Sequence, residues 1–133
     1  MKKLPFYFFL FLCVNIFAHP NGITEKYSYE MAYLPTPLPD RVVLTWNDDP
    51  ASTQAVNWRT DISVKEGVAQ LAIANSNGRA LEPKEFQAET IYFKSDINQA
   101  HYHSVTFKNL KPDTLYAYRV GDGEHWTEYY HFK

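Results

Sequence analysis

Beyond Cys13 the 133-residue sequence contains no cysteine, so its folded part has no disulfide to draw on and must be held by its core. Its longest apolar run, Leu4 to Val14, is too short for a comfortable transmembrane span. No stretch carries a long helical hydrophobic period with caps, which removes helix bundles from the field. There is no internal repeat, no low-complexity tract and no Asn-x-Ser/Thr sequon. A positive excess is also missing. Thirteen Lys and Arg stand against 15 Asp and Glu, for a net charge of −2, which argues against nucleic acid and anionic membrane surfaces as partners. Neither Gly-x-Ser-x-Gly, Gly-x-x-x-x-Gly-Lys nor Gly-x-Gly-x-x-Gly occurs, so the hydrolase elbow and the two phosphate-cradling loops have no support.

Aromatic residues are plentiful: 10 Tyr, 9 Phe and 3 Trp make up 17% of the chain. Such residues fit pleated, half-buried surfaces, and they point to an all-β domain. The length suits one domain rather than two.

The first residues read differently. Lys2 and Lys3 precede the apolar run, and Ala18 offers a small residue before His19 and Pro20. This is the build of a secretory signal peptide over residues 1–18, cut near Ala18, which implies a secreted or periplasmic protein with no membrane association after cleavage. Removing it takes the basic count from 13 to 11 and the net charge from −2 to −4. Cys13 also admits a lipid-anchor reading, the weaker one because Leu12 stands where a small residue is expected.

Residues 19–38 form an approach segment. Tyr27 to Tyr33 is able to pair at a sheet edge, and the prolines at 35, 37 and 39 favour a stiff, extended lead-in. Strands then recur at the spacing of an immunoglobulin-like or fibronectin type III-like β-sandwich. The expected set is seven: 42–46, 53–59, 68–74, 91–93, 101–110, 115–121 and 126–132. The third closes on the turn signal Asn75 to Gly78. Residues 79–90 read as an irregular edge anchored by Phe86. Trp46, Trp58, Tyr116, Tyr118 and Phe132 alternate inward and are assigned to the core.

The most informative stretch runs from Val105 to Gly121. A half-buried strand leads into a turn at Leu110 to Thr114, where Pro112 presets its own φ and cannot donate to a ladder. Tyr116, Tyr118 and Val120 then share a face of the next strand. Tyr116 just past Pro112 suits a tyrosine corner, with the phenol bonded to backbone across the connection.

Pro39 to Trp46, Thr53 to Trp58, and the Leu-x-Pro-x-Thr-x-Tyr-x-Tyr-Arg-Val-Gly pattern from Leu110 to Gly121 resemble the N-terminal domain of purple acid phosphatases over residues 39–133. That resemblance implies a fibronectin type III-like domain preceding a calcineurin-like metallophosphatase domain, the partner in cis. It implies a parent hydrolase acting on phosphomonoesters through a dinuclear metal centre. The family's Gly-Asp-x-x-Tyr and Gly-Asn-His blocks do not occur here, so this chain is expected to be non-catalytic and to hold no cofactor or metal. The marked residues Trp46, Trp58, Leu110, Pro112, Tyr116, Tyr118 and Gly121 are structural on this reading.

Three features invite chemistry. His101 and His103 share a strand face and are able to chelate a metal, but only Asp96, His125 or His131 stand ready to complete a site. Asp48 with Asp49, and Asp122 with Glu124, are carboxylate pairs in turn contexts, where capping is the commoner use. Tyr92, Tyr102, Tyr129 and Trp126 form a possible exposed strip. This strip motivates the alternative of a free-standing adhesion or carbohydrate-binding module.

Overall fold

The computed structural model describes residues 29–77 and 82–133. The signal-peptide expectation, with Cys13 and Ala18, and the Gly78 end of the expected turn lie outside those residues. A five-residue helix, α1 (Tyr29–Tyr33), opens the described chain, where the sequence also allowed pairing at a sheet edge. Among the described residues no helix is long and apolar enough to cross a membrane.

Eight strands follow: β1 (Asp40–Thr45), β2 (Gln54–Thr60), β3 (Val68–Ile73), β4 (Lys84–Gln87), β5 (Glu89–Lys94), β6 (Gln99–Phe107), β7 (Tyr116–Gly121) and β8 (Tyr130–Phe132). They form two antiparallel sheets in the orders β1-β2-β6-β5 and β4-β3-β7-β8. The chain changes sheet between β2 and β3, between β4 and β5, and again at the 108–115 corner. This is the two-layer solution for strands with one apolar face each.

The core lies between the sheets. Val56 and Trp58 of β2 pair with Val105 and His103 of β6. Across from them stand Ala69 and Leu71 of β3 and Tyr116, Tyr118 and Val120 of β7, all in one buried cluster. Phe107 is fully buried and meets Phe86 edge-on at 5.1 Å. Aromatic pairs prefer this geometry, and it adds to the burial of both rings.

The structure corrects the sequence reading at several strands. Eight replace seven, because β4 pairs with β3 through Phe86 opposite Ala69. Its polar, four-residue length hid it. β5 is six residues rather than three. At the far end Trp126 makes only an isolated bridge to Gly121, and β8 proper begins at Tyr130.

The largest correction concerns Trp46. It is 72% exposed and not a core residue. Strict alternation from Val42 and Leu44 points position 46 inward, but β1 ends at Thr45, the last residue paired with β2. Past that point the chain enters the Asp49 turn and the indole comes to lie on the outer face.

The proline-rich approach is fastened to the sandwich. Arg59, almost fully buried, makes a two-pronged ion pair with Asp40 and donates to the Tyr33 carbonyl at 3.2 Å. Asn98 Nδ2 donates to the same carbonyl at 3.2 Å, and Asp61 N–H donates to the Thr36 carbonyl at 2.8 Å. The guanidinium fork matches a carboxylate, and Asp40 raises the Arg59 pKa further above its ordinary value.

Candidate functional site

The corner is built as its residue pattern predicts. Phe107 ends β6 in the core, Asn109 and Asp113 take the left-handed φ values of 58° and 53°, and both are residue types that tolerate that region. Leu110 N–H donates to the Ser52 carbonyl at 2.9 Å, tying the corner to the β1–β2 turn. Lys111 N–H donates to the Tyr116 hydroxyl at 2.8 Å, and the ring is 7% exposed and stacked on Phe132 at 5.4 Å. Tyr116 therefore closes a tyrosine corner. Replacing it with Phe keeps the ring and removes the acceptor, leaving the Lys111 N–H without its partner. The expected loss is about 1–2 kcal/mol in a urea titration; an unchanged midpoint would show that the phenol oxygen does not brace the corner.

The remaining marked residues divide cleanly. Trp58 and Tyr118 are core, and burial, followed by Tyr130, pushes the Tyr118 phenol above its ordinary pKa. Pro112 sits in the turn, Leu110 packs on the core, and Gly121 lies against the β7–β8 loop.

The two histidines are engaged within the sandwich. His103 is 1% exposed, stacked on Trp58 at 5.3 Å, with Thr60 Oγ1 2.8 Å from its Nε2 and Thr90 Oγ1 2.9 Å from its Nδ1. Each hydroxyl serves as donor or acceptor, so a neutral ring is satisfied at both nitrogens and has no lone pair left for a metal. Burial, then the neighbouring His101, pushes its pKa down to about 4. The Nδ1 of His101 is bonded to the Val64 carbonyl at 2.7 Å. Gly67 makes the room: a Cβ there would lie 2.6 Å from His103 Nδ1. No group of three or more His, Cys, Asp or Glu side chains converges on a metal-sized point among the described residues.

The carboxylate pairs are turn devices. Asp49 accepts from Ala51 N–H and from the Ser52 hydroxyl, both at 3.0 Å, and those bonds hold its pKa below the ordinary value. Asp48 accepts from the Asp49 N–H at 2.9 Å. Asp122 accepts from Glu124 N–H at 2.9 Å and His125 N–H at 2.6 Å. Burial acts to raise Asp122, and these bonds outweigh it, so that carboxyl too sits low.

The expected aromatic strip is split. Trp126 and Tyr129 flank the Arg119 guanidinium, with its carbon 4.6 and 4.9 Å from the two ring centres. Arg119 Nε donates to Gln70 Oε1 at 2.8 Å, and Gln70 Nε2 donates to Glu85. Trp126 is thereby committed to holding a cation on the β4-β3-β7-β8 face. Tyr92 lies on β5, its hydroxyl donating to Gln99. Tyr102 lies on β6, on the outer face of the other sheet. Sequence reasoning missed what accompanies it there: Trp46, Asn57, Ser104, Glu89 and Ile91 line a trough of about 490 Å³ with Tyr102. The signal available was the parity of Asn57 and Ser104, polar residues facing away from the core positions 56, 58, 103 and 105.

Comparison with known proteins gives one family. The model described as "Purple acid Phosphatase, N-terminal domain" matches residues 39–133. Among solved structures, the FN5 domain of Drosophila Lar matches with a TM-score of 0.45 at 17% identity, covering 75% of this chain and 96% of that one. The sensor domain of the anti-sigma factor RsgI4 of Pseudobacteroides cellulosolvens matches at 0.41 and 18% identity, covering 71% and 94%. Vertebrate astrotactin-2 matches at 0.47 and 16% identity, covering 72% of this chain and 21% of that protein.

Proposed function

The chain belongs to the purple acid phosphatase N-terminal domain family, and from that premise we propose that it serves a secreted or periplasmic metallophosphoesterase as a non-catalytic domain. Its partner would be a C-terminal metallophosphatase domain carrying the dinuclear metal centre and the phosphomonoester hydrolase activity. The observation that carries this reading is the family match over residues 39–133, which takes in every strand of the sandwich. The chemistry of the side chains agrees with a structural role. The paired carboxylates are engaged in turns, and His103 is engaged at both ring nitrogens.

The test is made on the gene and on the protein. The reading frame beyond Lys133 should encode Gly-Asp-x-x-Tyr and Gly-Asn-His blocks, and a continuation without them overturns the proposal. The chain as it stands, supplied with iron, zinc or manganese, should show no turnover of an aryl phosphate. Turnover that disappears in His101→Ala and His103→Ala would make this domain an enzyme and refute the structural role.

A further inference from the structure

The β1-β2-β6-β5 sheet has a second surface, turned away from the core. Rows of paired residues cross it. Asn57 of β2 lies opposite Ser104 of β6, which lies opposite Glu89 of β5. One register further, Tyr102 lies opposite Ile91. At the other side Thr45 pairs with the small Ala55, and Trp46 stands just beyond. The result is a trough of about 490 Å³ with a polar middle and aromatic or apolar flanks, within the range of roughly 300–1,000 Å³ common for small-ligand sites.

Its chemistry narrows the occupant. Trp46 is 72% exposed, Ile91 58% and Tyr102 37%. Exposing an indole to water has a free-energy cost, and a ligand with an apolar face relieves it. Among the described residues the side chains of Asn57, Ser104 and Glu89 have no hydrogen-bond partner. Together they offer an amide donor and acceptor, a hydroxyl and a carboxylate. A protein-docking patch has the opposite arrangement, an apolar and aromatic centre within a polar rim. No Lys or Arg lines the trough, so phosphate, sulfate and nucleic acid find no counter-charge, and Glu89 repels them. What fits is a molecule with apolar C–H faces to lie against Trp46 and Tyr102 and a dense row of hydroxyls to meet the middle.

We propose that this trough is a binding site for a neutral oligosaccharide, with Trp46 as its stacking platform and Asn57, Ser104 and Glu89 as its hydroxyl readers. Of the four aromatics in the expected strip the site takes in Tyr102, whereas Trp126 and Tyr129 lie with Arg119 on the other sheet. It is independent of the phosphatase reading, since either stands if the other fails.

The experiment titrates the full chain with neutral cello-, xylo-, manno- and chito-oligosaccharides, following tryptophan fluorescence and heat. A polyuronate and a sulfated oligosaccharide serve as acidic probes. At least one neutral series should bind and perturb tryptophan emission. Trp46→Ala and Asn57→Ala should each weaken that binding by about tenfold or more, whereas Trp126→Ala should leave it unchanged. Trp46 is exposed, so its variant should keep the parent's unfolding midpoint, which separates loss of the site from loss of the fold. Three outcomes would overturn the proposal: no neutral series binds, the acidic probes bind more tightly, or binding survives Trp46→Ala. Self-association that Trp46→Ala abolishes, without sugar binding, would assign the face to a second copy instead and likewise overturn it.

Discussion

Gly121→Ala should be among the most damaging single-methyl changes in this domain, at about 2–4 kcal/mol. Gly121 closes β7, paired with Val68 on one side and bridged to Trp126 on the other. A Cβ at this position would lie 2.1 Å from the His125 carbonyl oxygen, 3.1 Å from its carbon and 3.0 Å from Trp126 Cε3. The obstruction is backbone, so no rotamer change relieves it. That backbone is also held in place from several directions. Asp122 Oδ1 accepts from the His125 N–H, Asp122 N–H donates to the His125 carbonyl at 3.3 Å, and Thr127 N–H donates to the Val120 carbonyl at 2.9 Å. To admit the methyl group the loop must swing outward, and Trp126 leaves the Arg119 guanidinium with it. Urea unfolding of the variant checks the size of the loss. An Ala variant as stable as the parent would mean that the β7–β8 loop yields freely, which would contradict the fixed geometry argued for this end of the sheet. The Arg-Val-Gly ending of the family pattern thus has a physical reason: only hydrogen fits between the strand and its own return loop.

The distinction between what the sequence revealed and what it concealed follows the range of the interactions. The tyrosine corner was legible because its parts lie within seven residues, Leu110 to Tyr116, and each has its own conformational preference. Trp58 and Tyr118 were legible because period-two alternation persists as long as a strand is paired. Trp46 was not, because alternation says nothing about where pairing stops, and β1 stops one residue earlier. β4 was not, because four residues with one apolar side chain, Phe86, carry too little periodicity to stand out beside Pro83. Trp126 looked like a free aromatic because its cation, Arg119, comes from the neighbouring strand. The trough on the outer sheet face was least legible of all. Its three readers belong to three strands and meet only through the β2–β6 and β5–β6 registers.

His103 gives the second large effect, and it is a pH effect. Free histidine titrates near 6.5, whereas burial and then His101 depress His103 to about 4. Between those two values the unfolded chain binds the proton and the folded chain does not. Stability therefore rises with pH in that window and is lost as the pH falls through it; the contribution is complete above about 6.5 and gone below about 4, amounting to roughly 3 kcal/mol. Asp49 and Asp122 also titrate low in the folded state, but their losses begin only as the pH falls through the carboxylate range, so the His103 window is separable from theirs. The check is the unfolding free energy of the parent and of His103→Phe between pH 7.5 and pH 4.5. At pH 7.5 the variant should be weaker by about 1–3 kcal/mol, because the Thr90 hydroxyl loses its partner and Thr60 retains only the Asp61 carbonyl. On acidification the parent should lose much more than the variant, so that the two curves converge. Parallel curves would mean that His103 takes its proton in the folded state as readily as in the unfolded one, and that the ring is not sealed between Trp58 and the two threonines. Converging curves would make His103, one of the two histidines that in sequence invite a metal, the place where acid first weakens this sandwich, because its ring is buried beside His101.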